Sequence, residues 1–405
     1  MNLPPDFNAM RSSVAISFVV ALAAAKRRVT SVGVCWTRNE VPHYKEQACR
    51  HGHVPDHLAP WAPLRASAIT LKTFHPQMKT CLFTDASEEI VCDAMADLHR
   101  CGFHKDPGSL DLFDEIIAQE PFEALHASLQ SFEKQVRGHA VIRFDVVWVK
   151  FRSRLMRMRN LARVPFDVTL AVDDDTVFCP TDGLESKLRA LATRTVRFVP
   201  ESMAKGKSYE GALEEAGRLR AARDCGNVTW EAGAGACPSL ATHGHVQGLQ
   251  GGAALLKRGP NLNAFVDAWF GAYVYYYEKE LASSAWGHDN QLGADQPPLR
   301  EVAKERCRGS NASWSIGALP ANYNVRFLHP PTDGDLVLKR GSANVSDSLF
   351  GAVDGDVVVL HSHFYLHWMS KSSKGLVAQT RQACGVLNQN SRLRIFANGR
   401  VEVLS

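Results

Sequence analysis

An apolar segment that ends in three consecutive aspartates constrains this chain more than any other feature. Residues 166–172 read Phe-Asp-Val-Thr-Leu-Ala-Val, and Asp173, Asp174 and Asp175 follow directly. A short aliphatic and β-branched run of this kind predicts a buried strand. Adjacent carboxylates repel one another unless a cation or ordered hydrogen-bond donors neutralise them. The pattern favours a strand that opens into a functional site, and the alternative is a solvated acidic turn.

Two carboxylates of the triplet share one side of the chain. Side chains at positions i and i+2 of an extended segment lie on the same face, so Asp173 and Asp175 can reach one ion together. Hard oxygen ligands suit Mg²⁺ or Mn²⁺, which commonly bridge a protein carboxylate to substrate phosphates. We therefore expect a Mn²⁺ or Mg²⁺ cofactor at Asp173 and Asp175.

Strand and helix patterns alternate through the first half of the chain and predict an α/β fold with a largely parallel sheet. We expect strands at 29–37, 78–84, 166–172, 195–199 (ending before Pro200) and 357–360, and helices at 66–74, 146–162 and 265–281. Ligands of such sheets bind beyond the carboxyl ends of the strands. Thr37, Asp85, Asp173 and His361 each close or follow a predicted strand, so we expect them at one edge of the sheet.

Composition and the N-terminus restrict the partners and the compartment. A formal charge of +4 over 405 residues is too small to indicate a nucleic-acid partner. Residues 12–25 are apolar or small, and at ~1.5 Å per helical residue they fall short of a ~30 Å membrane core. We predict a signal peptide or short signal anchor over 1–28, with an amphipathic helix as the alternative. The expected location is the Golgi or ER lumen, either secreted or attached to a membrane through the N-terminus.

Sequons and cysteines agree with entry into the secretory pathway. Asn227, Asn311 and Asn344 each begin an N-x-Ser/Thr acceptor sequence. Among the ten cysteines, Cys225 and Cys237 bracket a glycine-rich loop and are candidates for a local disulfide. The alternative is that most cysteines are buried thiols.

Several short motifs occur in a fixed order along residues 30–370. They lie at 67–72, 79–85, 148–150, 170–176, 250–252, 295–299, 319–326 and 360–363. These motifs and their order resemble those of nucleotide-diphospho-sugar glycosyltransferases of the GT-A fold. The resemblance implies a GT-A-like, Rossmann-type mixed sheet, mostly parallel and flanked by helices. It implies a glycosyltransferase domain at 29–375 with a loop-rich insertion at 203–247, followed by a C-terminal extension at 376–405.

The resemblance also implies roles for individual residues. His361, or else His363, is the expected third metal ligand beside Asp173 and Asp175, and the catalytic carboxylate is expected to be Asp295 or Asp289. Nucleotide-sugar contacts are expected from Thr37, Arg38, Asp85, Lys150, Asp173, Asp174, Gly251, Gly252 and Gln296. Asp85 has the alternative role of capping the next helix, and the glycines have the alternative of a bulge or bend. Most cations of the helix at 146–162 are expected on a solvated face.

The expected activity is transfer of a sugar from a nucleotide-diphosphate donor, with a UDP-sugar favoured, to a glycan or protein acceptor. The segment 361–368 lacks the Gly and Lys-Pro of a tail common in retaining members, so the stereochemical outcome stays open. Two other readings remain. Asp173 to Val177 also fits the nucleophile motif of haloacid-dehalogenase-type phosphatases, for which Asp354 and Asp356 are the candidate later acids. A secreted binding protein that kept the fold without turnover is the second.

Overall fold

The computed structural model describes the chain in separate ranges. These are 30–38, 61–100, 112–120, 123–138, 144–202, 246–282, 295–296, 298–299, 302–303, 312–327, 336–339, 356–362, 373–389, 392–395 and 401–404. The chain divides into two units, 1–31 and 32–405. The second unit carries all the elements described here, whereas only residues 30 and 31 of the first unit are described.

Thirteen strands and seven α-helices are present in the described residues of the second unit. The strands are β1 (Val32–Arg38), β2 (Lys79–Thr84), β3 (Glu115–Ala118), β4 (Val168–Val172), β5 (Thr176–Phe178), β6 (Val196–Ser202), β7 (Val246–Lys257), β8 (Ile316–Ala318), β9 (Val325–Phe327), β10 (Leu336–Lys339), β11 (Val359–Ser362), β12 (Arg392–Ile395) and β13 (Val401–Leu404). The helices are α1 (Ala62–Phe74), α2 (Glu88–Arg100), α3 (Glu123–Gly138), α4 (Phe144–Leu161), α5 (Leu184–Leu191), α6 (Pro260–Ala282) and α7 (Ser373–Asn388). A 3₁₀ turn, Ala321–Tyr323, precedes β9.

The largest sheet has seven strands in the order β3-β2-β1-β4-β7-β6-β8. Four of its six neighbouring pairs are parallel, and β7 runs antiparallel to both β4 and β6. The predicted fold class, an α/β architecture with a mixed and mostly parallel sheet flanked by helices, is confirmed. β1 lies in the middle of the parallel half and its carboxyl end points to the same edge as that of β4.

Helices cover both faces of this sheet because its strands are apolar on both sides. Val34 and Trp36 of β1 belong to one buried cluster, which includes residues of α1, α2, α5 and α7. Cys35, between them, belongs to a second cluster, with residues of α3, α4 and α6. The alternation along β1 therefore defines a helix–sheet–helix arrangement of three layers.

A smaller sheet brings a distant part of the chain to the end of β4. Its order is β5-β11-β9, with β11 antiparallel to β5 and parallel to β9. Because β5 starts directly after the aspartate triplet, its pairing with β11 places His361 opposite Thr176. His361 was predicted to follow a strand at the edge of the main sheet. That placement was wrong, since the residue lies inside β11 of the smaller sheet.

Three other sequence predictions are corrected by the structure. Strand β6 continues through Pro200, which pairs with Leu249, instead of ending before it. On its other side β6 pairs with β8 only up to Phe198, so the missing N–H of Pro200 faces no strand there. Strand β3 was not predicted at all. The boundaries of the helix predicted at 66–74 also shift, because α1 starts at Ala62.

Two disulfides lie among the described residues of the second unit. Cys35 and Cys81 are register partners on β1 and β2 and are bonded to one another. Cys179, just after β5, is bonded to Cys384 of α7. The reading of the cysteines as buried thiols is wrong for these four. The predicted Cys225–Cys237 pair and the asparagines of the three sequons lie outside the described residues.

The C-terminal part of the described chain packs onto the domain. Helix α7 contacts α1, and Leu376 belongs to the same buried cluster as β1. The predicted boundary between domain and C-terminal extension, at 375/376, falls inside α7. None of the helices in the described ranges is both long enough and apolar enough to span a membrane. The apolar segment at 12–25 lies outside those ranges.

Candidate metal and anion site

The aspartate triplet forms the turn between β4 and β5, and hydrogen bonds hold this turn on both sides. The Asp173 amide donates to the Gly252 carbonyl at 3.0 Å, and the Thr176 hydroxyl donates to the Asp173 carbonyl at 2.8 Å. Ser67 Oγ lies 3.0 Å from Thr176 Oγ1 and accepts a bond from Trp36 Nε1 at 2.9 Å. The turn is thus anchored to β7, to α1 and to β1.

Asp173, Asp175 and His361, the three residues predicted as metal ligands, lie close together. His361 Nε2 lies 3.0 Å from Asp175 Oδ1 and 3.7 Å from Asp173 Oδ2. One ligand atom from each residue lies within 4.8 Å of the other two. Metal–oxygen bonds of about 2.1 Å place neighbouring octahedral ligands about 3.0 Å apart. These three residues therefore fit a single divalent cation, and His363 lies outside the described residues.

Gly251 and Gly252 make room for the acidic groups of the site. A Cβ atom on Gly252 would lie 2.7 Å from His361 Cε1 and 3.1 Å from Asp173 Oδ2. A Cβ on Gly251 would lie 2.9 Å from Asp295 Oδ2. The register between β6 and β7 also shifts here, since Phe198 pairs with Ala254 and Val199 with Gln250. The alternative interpretation, an irregular strand, therefore applies to this segment, whereas the nucleotide-sugar contact predicted for Gly251 and Gly252 stays a prediction.

The middle carboxylate of the triplet has a different partner. Arg38, buried at the end of β1, forms an ion pair and hydrogen bond with Asp174. Burial raises the pKa of Asp174, Arg38 counteracts this shift, and the neighbouring carboxylates Asp175 and Asp173 add to it. Arg38, predicted to contact base or ribose, thus holds Asp174 in place.

Asp295 is buried beside the cationic face of α4. Arg154 Nη1 and Arg157 Nη1 lie 3.4 and 3.9 Å from Asp295 Oδ2, and Trp269 Nε1 donates to the Asp295 carbonyl at 3.3 Å. Desolvation and then repulsion by Arg154 lower the pKa of Lys150, and Asp295 opposes this shift. Lys150, Arg154 and Arg157 are spaced at i, i+4 and i+7, which places them on one side of a helix.

Arg157 is the functional candidate that the sequence interpretation missed. Its Nη1 lies 2.6 Å from Asp173 Oδ1, and its Nη2 donates to the Gly251 carbonyl at 2.5 Å. It thereby joins Asp173, Gly251 and Asp295. The prediction placed most cations of this helix in solvent and singled out Lys150, although the seven-residue spacing from Lys150 to Arg157 was a usable signal.

The remaining predicted residues lie around this centre or outside the described part. Thr37 is partly buried in β1 beside Arg38, and Asp85 is exposed directly after β2. The alternative role of Asp85 as a helix cap is not observed, because Ser87 Oγ accepts the bond from the Ile90 amide of α2. Gln296 is partly buried next to Asp295, and Asp289 lies outside the described residues.

The fold and the site together define a class: an α/β protein with a candidate divalent-cation site beside a cationic helix. Solved structures similar to this chain are glycosyltransferases. The galactosyltransferase LgtC, in complex with donor and acceptor sugar analogues, is 10% identical with a TM-score of 0.40, covering 88% of this chain and 96% of that chain. Mouse xyloside xylosyltransferase 1 is 11% identical with a TM-score of 0.40, covering 82% and 97%. The bifunctional glycosyltransferase WbbM is 12% identical with a TM-score of 0.35, covering 74% and 40%.

No protein-family model and no curated protein sequence matches the chain. The similar solved structures are of the class that the sequence motifs resemble. Their identities and TM-scores are low, so the function is inferred from the residues of the site.

Proposed function

We propose that this chain is a metal-dependent glycosyltransferase that moves a sugar from a nucleotide-diphosphate donor, with a UDP-sugar favoured, to a glycan or protein acceptor. The observation that carries the proposal is the convergence of Asp173, Asp175 and His361 at the end of the buried strand β4. In such a reaction the bond from the anomeric carbon to the diphosphate oxygen breaks, and negative charge grows on the departing diphosphate.

Asp173, Asp175 and His361 would hold Mn²⁺ or Mg²⁺. Of the two, Mn²⁺ accepts an imidazole nitrogen more readily, because Mg²⁺ prefers oxygen ligands. A bound cation would neutralise the charge that develops on the diphosphate. Arg157 binds Asp173 Oδ1, which leaves Asp173 Oδ2 on the side of His361.

The charges of the site suit a nucleoside diphosphate. Three cations (Lys150, Arg154 and Arg157) lie beside Asp295 or Asp173. With Asp175 included, the formal charges of the three cations and three carboxylates balance. A divalent cation would add a net charge of about +2, which is complementary to the diphosphate of a nucleotide sugar. We propose that the side of α4 bearing Lys150, Arg154 and Arg157 faces the diphosphate and the transferred sugar.

Asp295 is proposed to accept hydrogen bonds from sugar hydroxyl groups. Two guanidinium groups lie next to it, and an ionised carboxylate has only acceptor sites. Its buried position against Gly251 places it beside the candidate metal ligands. The role of catalytic carboxylate, predicted for Asp295 or Asp289, stays a prediction, as do the donor contacts predicted for Thr37, Asp85 and Gln296.

A lumenal or secreted location is proposed with this activity. Two buried disulfides link parts of one domain, and disulfides persist in oxidising compartments. Golgi or ER residence, with or without attachment through the N-terminus, agrees with them.

The geometry argues against the phosphatase alternative. That chemistry needs a later acid beside the triplet, and Asp356 is the described candidate. Asp356 lies five residues before His361. Because β11 runs antiparallel to β5, and Val359 pairs with Phe178, the residues before Val359 lie beyond the end of β5 that is farther from the triplet. Its carbonyl accepts a bond from Asn322 instead.

The proposal is tested by a thermal-shift panel of UDP-, GDP- and other nucleotide sugars with and without Mn²⁺. A ligand that binds only the folded state raises its stability by about 2.7 kcal/mol at a hundred times Kd. A shift that is selective for one nucleotide, requires Mn²⁺ and is lost in Asp175→Asn supports the proposal. The selected donor is then assayed for sugar transfer. Metal-dependent binding without transfer to any acceptor or to water would instead favour the non-catalytic binding protein.

A further inference from the structure

The metal ligand His361 has a buried partner of its own. Its Nδ1 lies 2.8 Å from Oδ1 of Asn324, and both side chains are buried, at 3% and 0% exposure. On the other side of the ring, Nε2 faces Asp175 and Asp173. The imidazole thus lies between an amide oxygen and the two carboxylates.

A neutral imidazole carries one proton, and its position decides whether Nε2 can bind a cation. An Nδ1–H group must donate, and the Asn324 Oδ1 atom can only accept. Donation to Asn324 therefore directs the Nε2 lone pair towards Asp173 and Asp175, where a cation between Nε2 and Asp175 Oδ1 would separate the two acceptors. The opposite tautomer would leave two acceptors facing one another at Nδ1 and a proton where the cation would bind.

Backbone hydrogen bonds hold the segment around Asn324. Asn324 precedes β9, which pairs in parallel with β11 through Val325 and Leu360. The turn before it is held by Asn322, whose carbonyl accepts from the Val358 amide and whose Nδ2 donates to the Asp356 carbonyl. The backbone on both sides of Asn324 is thus held by the bonds of Asn322 and by the pairing of β9 with β11.

We propose that Asn324 is a positioning residue that fixes His361 as the Nδ1–H tautomer and thereby prepares Nε2 as a metal ligand. The inference rests on the proposed function. Groups that orient a metal-bound histidine in this way typically change metal affinity by about 10–100-fold.

The test compares three variants of the full chain at about pH 8, where free imidazole is neutral. Asn324→Leu removes the acceptor at similar volume, and Asn324→Asp keeps an acceptor oxygen. Asn322→Leu is the matched control, because it removes only the Asn322 Nδ2 bond and keeps both the Asn322 carbonyl bond and the pairing of β9 with β11 that hold Asn324. The affinity for Mn²⁺ is measured by electron paramagnetic resonance with and without UDP. The tautomer of His361 is read from ring-¹⁵N-labelled histidine, with the signal assigned by its loss in His361→Ala.

We expect Asn324→Leu to raise the Kd for Mn²⁺ by about 10–100-fold and to mix the two tautomers of His361. Asn324→Asp and Asn322→Leu should both keep the Nδ1–H tautomer and an affinity near that of the unmodified chain. The inference is overturned if Asn324→Leu keeps full affinity for Mn²⁺, or if Asn322→Leu loses as much Mn²⁺ affinity as Asn324→Leu does. It is also overturned if His361 of the unmodified chain carries its proton on Nε2. If the unmodified chain binds no Mn²⁺ even with UDP, the proposed function fails, and the tautomer alone decides the role of Asn324.

Discussion

Arg38 and Asp174 form an ion pair between the ends of the adjacent strands β1 and β4. Because Asp174 faces Arg38, the other two carboxylates of the triplet are left to face His361. Three consecutive aspartates therefore have two separate tasks, one in holding the turn and one in forming the candidate metal site.

Replacing the middle aspartate separates these tasks. In Asp174→Asn the buried Arg38 loses its counter-charge, and we expect the free energy of unfolding to fall by about 3 kcal/mol. Mn²⁺ binding should remain, because Asp173, Asp175 and His361 are unchanged.

In Asp175→Asn we expect the reverse, a loss of Mn²⁺ binding with little loss of stability, since one repelling carboxylate is removed. Denaturant unfolding without metal and Mn²⁺ titration measure both effects. Loss of Mn²⁺ binding in Asp174→Asn at unchanged stability would assign Asp174 to the metal.

Arg157 should contribute more to donor binding than Lys150 does. Arg157→Ala removes the cation that contacts both Asp173 and the Gly251 carbonyl. We expect a rise of about 100-fold or more in the Kd for UDP with Mn²⁺, as for preorganised charged groups, and about tenfold for Lys150→Ala. Arg152→Ala, exposed on the same helix, is the control and should bind as the unmodified chain does. Isothermal titration calorimetry gives the three affinities. A larger loss of UDP affinity in Lys150→Ala than in Arg157→Ala would instead favour Lys150, the residue chosen from the sequence.

The residues of the candidate metal site could be named from the sequence, and their role as metal ligands stays a prediction, whereas the groups around them could not be named. Asp173 and Asp175 follow from strand periodicity, which is local. His361 was found through the motif order, although its strand was assigned to the wrong sheet. The positions of Arg157 and Asn324 depend on which side of α4 packs against β7 and on the pairing of β9 with β11. Such contacts join residues far apart in the chain. The spacing from Lys150 to Arg157 indicates that both lie on one side of α4, but no local pattern reports what that side contacts.

Gly252 should tolerate no side chain, for a reason that concerns the site rather than backbone conformation. Its Cβ would lie 2.7 Å from His361 Cε1 and 3.1 Å from Asp173 Oδ2. We expect Gly252→Ala to displace these ligands, to weaken Mn²⁺ binding at least tenfold and to cost about 1–3 kcal/mol of stability. Gly271→Ala in α6 is the control, because a Cβ there meets no atom within 4 Å. The stability of that variant should rise by about 0.5–1 kcal/mol, and its affinity for Mn²⁺ should not change. Equal Mn²⁺ affinity in both variants would contradict the close packing of Gly252 against the site.

The Cys179–Cys384 disulfide should stabilise the attachment of α7 to the rest of the domain. It spans 205 residues, and removing a disulfide typically costs about 2–5 kcal/mol. We expect Cys384→Ser to lower the free energy of unfolding by this amount under oxidising conditions. Under reducing conditions the variant and the unmodified chain should have the same free energy of unfolding, unless the retained thiol packs better than the serine. Peptide mapping without reductant checks the pairing directly, and recovery of Cys179 and Cys384 on unlinked peptides would refute it.

His75 should make stability fall in mild acid. It is buried after α1, and its Nε2 bonds the Cys179 carbonyl at 2.9 Å. Burial lowers its pKa below 6.5, the Cys179 carbonyl opposes this shift, and Lys187 adds to it. Below about pH 6.5 the unfolded chain therefore takes up a proton that the folded chain resists, and stability decreases as the pH falls. One such proton contributes a slope of at most about 1.4 kcal/mol per pH unit.

The variant His75→Gln keeps a side-chain N–H donor for the Cys179 carbonyl but cannot titrate. The difference between its unfolding free energy and that of the unmodified chain isolates His75 from the other histidines. We expect the unmodified chain to lose stability more steeply between pH 7 and pH 5, with the two profiles parallel above about pH 7. Denaturant unfolding at half-unit pH steps measures both. Parallel profiles down to pH 5 would mean that His75 takes up its proton as easily in the folded domain as in the unfolded chain.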